Sequence, residues 1–186
     1  YKPTVKGHAV QIRKVIQELE KAKRPLIYAG GGVTLSGACE ELRSFAEKFR
    51  IPVVSTMMGI GVMPTEHPMY FGMVGNNGKA YANRAMNESD LLIMVGARVA
   101  DRSVNQPDII THDKVLVHID VDPAEIGKNA GPTIPLVGDA RHIFADFEKQ
   151  EFVCEHEEWI ERLNEYRRTM KQTRHPNPAY VDPEAF

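Results

Sequence analysis

Residues 25–36, Pro-Leu-Ile-Tyr-Ala-Gly-Gly-Gly-Val-Thr-Leu-Ser, carry the strongest structural signal in the chain. The apolar run at residues 26–28 is typical of a strand that is covered on both faces of a sheet. The glycines at residues 30–32 then remove every Cβ where the chain must turn sharply. A helix is predicted to follow, with Thr34 or Ser36 as its cap. The stretch therefore predicts a buried strand, a glycine turn and the start of a helix.

The glycine turn is a candidate site for a ligand. A turn that leads into a helix presents free backbone N–H groups at the positive end of the helix dipole, which suits a phosphate group. The fingerprint for nicotinamide dinucleotides, G-x-G-x-x-G with an acid about 20 residues later, is incomplete here. Leu35 stands at the third glycine position, and Thr56 ends the next predicted strand in place of an acid. A nicotinamide cofactor is therefore disfavoured, and the alternative that the glycines serve only a tight turn and a close helix contact stays open.

The overall composition favours a small-molecule ligand. The chain has 186 residues, a formal net charge of −2 and a pI near 6.4, without the basic stripe that binds nucleic acid or an anionic membrane. Its two cysteines, Cys39 and Cys154, lie far apart, which fits a reducing, cytoplasmic compartment. No stretch approaches the ~20 continuous apolar residues that cross a bilayer, and the first residues lack an apolar signal core.

Short apolar runs alternate with segments of helical spacing along the chain. Strands are predicted at residues 26–28, 51–56, 91–95, 115–119 and 134–137. Helices are predicted at residues 8–23, 35–49, 79–87, 140–149 and 155–170, with Leu35 in the buried stripe of the second. The glycine-rich segment 57–78 and the polar segment 97–114 are predicted to be long loops. This order predicts an α/β domain with a mostly parallel sheet, whose strand ends line one crevice.

Four charged side chains near predicted strand ends are candidate ligand contacts. Asp120 and Asp139 directly follow apolar runs, where a carboxylate can accept hydrogen bonds from ribose hydroxyls or an adenine amino group. Arg98 and Arg102 follow the third predicted strand and can engage a pyrophosphate, although surface arginines on a loop are the open alternative. His118 lies inside an apolar run and is interpreted as a hydrogen-bonded strand residue, not as a catalyst.

Other chemistries lack their sequence signatures. Gly78-Lys79-Ala80 is the nearest match to a P-loop, but alanine stands where the metal-binding hydroxyl belongs. The seven histidines are dispersed without the spacing of a zinc site. Neither a G-x-S-x-G motif nor a cysteine pairing supports a nucleophile. No catalytic residue and no metal ligand is predicted in this chain.

Four motifs, taken together and in order, resemble one family of domains. They are Tyr-Ala-Gly-Gly-Gly at 28–32, Val-Ser-Thr-Met-Met-Gly-Ile-Gly at 54–61, Gly-Ala-Arg at 96–98 with Asp-Arg at 101–102, and His-Ile-Asp-Val-Asp-Pro-Ala-Glu-Ile at 118–126. The chain resembles the central domain of thiamine-diphosphate-dependent enzymes, and most closely that of the acetolactate synthase (acetohydroxyacid synthase) large subunits. The similarity covers nearly the whole chain.

The resemblance implies a three-layer Rossmann-like fold with about six strands and helices on both faces, the sixth strand being supplied by the family alone. It also implies that the domain binds FAD in an extended pose, with glycines that make room for the flavin nucleotide. The contacts carried over by position are Gly30, Gly31, Gly32, Thr56, Met57, Met58, Gly75, Asn76, Asn77, Gly96, Ala97, Arg98, Arg102, Asp120, Val121, Gly138 and Asp139.

The resemblance also implies a larger enzyme that condenses pyruvate with a second 2-ketoacid in branched-chain amino acid biosynthesis. Thiamine diphosphate and magnesium would be bound by N-terminal and C-terminal domains outside this chain, so the chain alone is expected to be inactive. Further expected partners are copies of the same subunit, in a dimer or tetramer, and a regulatory small subunit. Residues 1–150 are expected to form the central domain, and residues 151–186 a C-terminal helix and a proline-rich linker.

Two positions depart from the family pattern. Ala100 replaces an acid in the motif Gly-Ala-Arg-Phe-Asp-Asp-Arg, and Asn77 replaces a histidine. Two alternatives therefore stay open. One is a purely structural central domain with an empty crevice, and the other is the central domain of a different thiamine-diphosphate enzyme, such as an oxidase, carboligase or decarboxylase.

Overall fold

Six parallel strands form one sheet in the part of the chain that the computed structural model describes, residues 4–99, 110–152 and 156–170. The strands are β1 (Pro25–Ala29), β2 (Val53–Ser55), β3 (Tyr70–Met73), β4 (Leu91–Val95), β5 (Val115–Asp120) and β6 (Ile134–Val137). Their order across the sheet is β3-β2-β1-β4-β5-β6, and every neighbouring pair is parallel. The predicted α/β, Rossmann-like fold and its five predicted strands are confirmed.

Helices cover both faces of this sheet. They are α1 (Ala9–Lys21), α2 (Gly31–Leu35), α3 (Cys39–Lys48), α4 (Ala80–Glu88), α5 (Ala140–Glu148) and α6 (Glu157–Thr169), with a short 3-10 helix at Met57–Gly59. The helices α1, α3 and α5 pack on one face, and α4 and α6 pack on the other. Within the described ranges, no helix is long and apolar enough to cross a membrane.

Successive side chains of each strand point to opposite faces of the sheet, and this divides the core into two apolar layers. In β5, Val117 and Ile119 belong to the layer under α1, α3 and α5, whereas Leu116 belongs to the layer under α4 and α6. This two-sided burial is expected of a parallel sheet with helices on both faces, and it explains the continuous apolar runs in the sequence. The strands therefore carry polar residues mainly at their ends, where a ligand can reach them.

Residues 57–78 are not the irregular loop that their glycines predict, because β3 lies within them. Gly72 adopts a φ of 85° inside this strand, a left-handed conformation that glycine tolerates, so the glycine marks an irregular strand and not a loop. Arg167 of α6 covers the strand from outside. Its guanidinium donates a hydrogen bond to the Tyr70 carbonyl and lies 4.2 Å from the centre of the Phe71 ring. The exposed edge of the sheet is thereby protected from pairing with another chain.

The helix predicted at residues 35–49 begins only at Cys39, as α3, and Leu35 is the last residue of the separate helix α2. The helical conformation is interrupted at Gly37, whose φ is 66°. The N-cap of α2 is Gly30, which offers no side chain, so the prediction of a cap at Thr34 or Ser36 is wrong. Thr34 lies inside α2, and Ser36 is its C-cap. The helix therefore begins directly on the glycine turn.

Helix α6 is docked tightly on the sheet. The Trp159 ring is 2% exposed, and its Nε1 donates a hydrogen bond to the carbonyl oxygen of Pro25 at 3.1 Å. The Tyr166 hydroxyl donates to the Glu88 carboxylate at 2.8 Å, which connects α6 to α4. These contacts make α6 part of the layer that covers the second face of the sheet.

Candidate functional site

The sheet order places β1 beside β4, where the strand order reverses and where ligands bind in open α/β sheets. Here the turns that follow the two strands pack directly against each other. The N–H of Gly30 donates to the Val95 carbonyl at 2.9 Å, and the N–H of Gly32 donates to Gly96 at the same distance. A Cβ at Gly30 would lie 2.1 Å from the Gly96 oxygen, and a Cβ at Gly32 would lie 2.6 Å from the Gly96 Cα. The room beside Gly30 and Gly32 is therefore filled by protein backbone.

The 3-10 helix closes the carboxyl ends of β1 and β2. Thr56 is 8% exposed and caps this helix, because its hydroxyl accepts the N–H of Gly59 at 3.0 Å. A Cβ at Gly59 would lie 2.3 Å from the carbonyl oxygen of Ala29, and one at Gly31 would lie 3.1 Å from the Cβ of Met58. In a Rossmann fold a nicotinamide dinucleotide approaches the turn after β1. Here the 3-10 helix packs against that turn at Gly31.

A cleft of about 190 Å³ opens at the carboxyl ends of β4, β5 and β6, and we refer to it as the β5–β6 cleft. Its lining residues are Gly32, Leu35, Ser36, Gly96, Ile119, Asp120, Val121, Gly138, Asp139 and Ala140. Six of them are contacts predicted from the sequence: Gly32, Gly96, Asp120, Val121, Gly138 and Asp139. Among the described residues, the lining combines apolar walls with two aspartates and contains no basic side chain. Such a lining suits the uncharged end of a nucleotide better than its phosphates.

The two aspartates of the cleft each bind backbone through one carboxylate oxygen. Asp139 is the N-cap of α5, and its Oδ1 accepts the N–H of Arg141 at 3.0 Å. The Oδ1 of Asp120 accepts the N–H of Asp122 at 2.9 Å. No described residue donates a hydrogen bond to the Oδ2 of Asp120 or of Asp139. Each aspartate therefore keeps an acceptor for a hydroxyl or amino group of a ligand.

Arg98 follows β4, and three-quarters of its side chain is exposed. Its Nε lies 3.5 Å from the Oε2 of Glu125, whose side chain is only 13% exposed. The sequence motif at 118–126 contains Glu125, but sequence reasoning missed it as the partner of Arg98. An ion pair with one such exposed member contributes little to stability, so Arg98 can leave the Glu125 carboxylate and bind a phosphate instead. The neighbouring Ala97 is buried, and Arg102 lies outside the described residues.

Four large apolar side chains are exposed around the carboxyl edge. Their exposed fractions are 63% for Met57, 77% for Met58, 58% for Ile60 and 91% for Leu35. The prediction that Leu35 lies in a buried helical stripe is wrong, because α2 ends at that residue and the buried stripe belongs to α3. Sequence reasoning also missed Ile60 as an exposed group. Grouped apolar side chains that remain exposed mark binding surfaces.

The remaining predicted contacts follow β3, at the opposite edge of the sheet from the β5–β6 cleft. The N–H of Gly75 donates to the Asn83 side chain at 2.8 Å, and that side chain donates back to the Gly75 carbonyl at 2.9 Å. This clamp holds a turn on which Asn76 and Asn77 are exposed. Five spacings between strands separate β3 from β6, which corresponds to ~24 Å. The structure therefore spreads the predicted contacts along an edge and does not gather them in one pocket.

His118 is buried at 2% exposure in the middle of β5. Among the described residues neither ring nitrogen has a hydrogen-bond partner of ordinary geometry, so its interpretation as a hydrogen-bonded strand residue stays a prediction. Burial lowers the pKa of His118 below its ordinary value, although the nearby Asp120 carboxylate opposes this. The Ala97 backbone and the Glu125 carboxylate also favour the charged form. The imidazole is therefore neutral at neutral pH and adds no positive charge to the site.

Comparison with known proteins agrees with this architecture. Residues 12–147 match the family model described as the thiamine pyrophosphate enzyme central domain. The chain is 43% identical over 171 residues to a probable acetolactate synthase large subunit of Methanocaldococcus jannaschii, which covers 90% of this chain and 29% of that protein. It is 38% identical over 188 residues to an acetolactate synthase of Arthrospira platensis, covering 97% of this chain and 32% of that protein.

A third relative, the acetolactate synthase large subunit of Corynebacterium glutamicum, is 44% identical over 145 residues, which covers 78% of this chain and 23% of that protein. The chain thus spans less than a third of the length of each of these relatives. The matched residues 12–147 include all six strands and five of the six helices α1 to α6, apart from the start of α1 and the end of α5. The chain therefore belongs to the family of thiamine pyrophosphate enzyme central domains.

Proposed function

We propose that this domain binds FAD in an extended pose along the carboxyl edge of its sheet. The observation that carries the proposal is the order of the candidate contacts along that edge. The β5–β6 cleft lies at one end, Arg98 follows the central strand β4, and the exposed methionines follow β2. FAD has the same order of chemical groups, namely a nucleoside, a pyrophosphate and an apolar ring system.

The nucleoside end of FAD would occupy the β5–β6 cleft. Asp120 and Asp139 offer carboxylate oxygens to ribose hydroxyls or to the adenine amino group. Leu35 and Val121, which are both exposed, supply apolar surface against the base. The volume of about 190 Å³ is below the range of ~300–1,000 Å³ that is common for whole small-molecule ligands, so only a part of FAD would lie in the cleft.

The pyrophosphate would be bound by Arg98, and by Arg102 as the resemblance implies. Arginine forms two parallel hydrogen bonds to phosphate oxygens, and the exposed Arg98 side chain is available for this exchange. The apolar ring system would lie on Met57 and Met58, whose thioethers are soft and adaptable. Bound FAD would supply a structural element between the exposed groups, and no redox step is assigned to it.

We further propose that the chain is the central part of an acetolactate synthase large subunit, which joins pyruvate to a second 2-ketoacid in branched-chain amino acid biosynthesis. The similarity to three relatives that carry the name acetolactate synthase, two of them as large subunits, over 78 to 97% of this chain supports the proposal. Thiamine diphosphate and magnesium would then be held by N-terminal and C-terminal domains of the larger protein. The domain alone would be inactive, and the enzyme would be a cytoplasmic homo-oligomer, a dimer or tetramer, with a regulatory small subunit.

A structural domain without a bound nucleotide is the second candidate. The contacts of Gly30 and Gly32 with Gly96 favour it, because they show that the glycine turns have a packing role of their own. The central domain of another thiamine-diphosphate enzyme, an oxidase, carboligase or decarboxylase, is the third. The two exposed methionines speak for a ligand or a partner at this edge, since a scaffold gains no stability from exposed apolar groups.

Titration of the 186-residue chain with FAD, followed by flavin fluorescence and calorimetry, tests the proposal. FAD is expected to bind, ADP to bind more weakly through the nucleoside and pyrophosphate contacts, and NAD to bind no better than ADP. Absence of FAD binding up to millimolar concentration would contradict the proposal and support the structural domain. Equal binding of NAD and FAD would contradict the assignment of the methionines to the flavin ring.

The Arg98→Ala variant tests the pyrophosphate contact. It is expected to weaken FAD binding by ~1.5–3 kcal/mol, the scale of a hydrogen bond to a charged group. Arg43→Ala is the matched control, because Arg43 is also exposed and also paired with a glutamate, 3.2 Å away on α3. An equal affinity for FAD in the two variants would remove Arg98 from the site.

A further inference from the structure

The turn between β6 and α5 connects the β5–β6 cleft with the N-terminal segment at residues 4–7. Gly138 and Asp139 line the cleft and form this turn. The N–H of Gly138 donates to the carbonyl oxygen of Asp120 at 2.9 Å, which is on the cleft side. The next N–H, that of Asp139, donates to the carbonyl oxygen of Val5 at 2.9 Å, which is in the N-terminal segment.

The N-terminal segment also packs against the turn. A Cβ at Gly138 would lie 3.1 Å from the nitrogen of Gly7 and 3.2 Å from the oxygen of Val5. On its other side, a Cβ at Gly7 would lie 3.0 Å from the Cγ1 of Ile143 and 3.3 Å from Leu136. A Cβ at either position would be a tight contact, so the two glycines let the segment lie close to β6 and α5. The segment at residues 4–7 thus packs on this turn, and we refer to it as the strap.

The turn thus carries three tasks at once. The Asp139 side chain caps α5, its backbone N–H donates to the strap, and the residue also lines the cleft. A ligand that binds Asp139 or Gly138 restricts the same peptide units that hold Val5. Restriction of these units lowers the cost of ordering the strap, because less conformational freedom remains to be lost when the strap docks.

We infer that the segment at residues 4–7 is a strap whose docking is coupled to a nucleotide in the β5–β6 cleft, through the consecutive amides of Gly138 and Asp139. This inference rests on the proposed function, since it needs a ligand in that cleft. Coupling between two binding events is reciprocal. A nucleotide therefore tightens the strap, and a docked strap strengthens the binding of the nucleotide by the same factor.

Amide hydrogen exchange of the 186-residue chain, measured by NMR with and without saturating FAD, tests the coupling. The exchange of the Gly138 and Asp139 amides is expected to slow together, by about fivefold or more, the lower end of allosteric coupling. If FAD binds and the exchange of the Asp139 amide is unchanged, whether or not that of Gly138 slows, the coupling to the strap is overturned while FAD binding stands. If fluorescence detects no FAD binding and neither amide changes, the proposed function fails, and the inference fails with it.

The Gly7→Val variant tests the reciprocal effect without touching the cleft. The added side chain meets Ile143, so the strap must move, and FAD affinity is expected to fall about fivefold or more. Gly131→Val is the matched control, because nothing lies within 4 Å of a Cβ at Gly131. Thermal melts of both variants establish that the fold is retained. An FAD affinity of Gly7→Val equal to that of the control would overturn the inference.

Discussion

The packing of the two glycine turns predicts that Gly30→Ala destabilises the domain even without any ligand. An added methyl carbon would lie 2.1 Å from the Gly96 carbonyl oxygen and 2.5 Å from the Cα of Ala97. Both neighbours are backbone atoms, which cannot rotate away as the end of a side chain can. The turns after β1 and β4 must separate to admit the methyl group.

The magnitude follows from the nature of this clash. Gly30 has a φ of −106°, which alanine adopts without strain, so the loss is steric alone. Overpacking typically costs 1–3 kcal/mol, and a contact this short against backbone is expected at or above the upper end, at least ~3 kcal/mol. That loss is a large part of the ~5–15 kcal/mol by which a domain is usually stable.

Urea denaturation of the chain, monitored by far-UV circular dichroism, measures the effect. The midpoint of Gly30→Ala is expected to fall by about 1 M or more, given the usual dependence of unfolding free energy on urea. Gly131→Ala is the control and is expected to stay within ~0.5 kcal/mol of the parent chain, because a Cβ there meets nothing within 4 Å. Equal midpoints for the two variants would refute the assignment of Gly30 to backbone packing and return it to ligand binding alone.

Three further predictions concern single side chains. Trp159→Phe removes the hydrogen bond to Pro25 and is expected to lower the unfolding free energy by ~1–3 kcal/mol; equal urea midpoints for variant and parent would contradict this. In the parent chain, the fluorescence emission of this single tryptophan should shift to the red as the helical dichroism is lost. Because burial lowers the pKa of His118, the unfolded chain takes up the proton first as pH falls below ~6.5. The urea midpoint should therefore fall between pH 7.5 and 5.5 more in the parent chain than in His118→Gln, and equal slopes would contradict it. Asp139→Ala should lose ~1 kcal/mol of unfolding free energy with the α5 cap, whereas Asp139→Asn should lose less, and equal losses would argue against a capping role.

Much of the fold was predictable because apolar runs report burial directly. A strand that is covered on both faces needs apolar residues throughout, so β1, β4 and β5 are visible in the sequence as continuous runs. The edge strand β3 was not predictable. It has four residues, one of them the left-handed Gly72, and its outer edge is protected by Arg167 from α6, which lies almost 100 residues away in the chain.

The candidate site was predictable in position but not in detail. Strand ends in a parallel sheet meet at one edge whatever the order of the strands, so residues such as Asp120 and Gly138 could be assigned to a common edge in advance. Which of them share the β5–β6 cleft depends on the strand order. The pairing of Arg98 with Glu125 joins segments that are distant in the sequence. The exposure of Leu35 depends on where α2 ends, which the apolar pattern did not reveal.

The glycine turn at residues 30–32 separates the two kinds of information. Local chemistry in the sequence is sufficient to predict a strand, a sharp turn and a helix, because glycine and apolar periodicity act over a few residues. The reason that glycine is needed at positions 30 and 32 lies in the backbone of Gly96, more than 60 residues later. No local pattern carries that information, since the two turns become neighbours only when the sheet sets β1 beside β4.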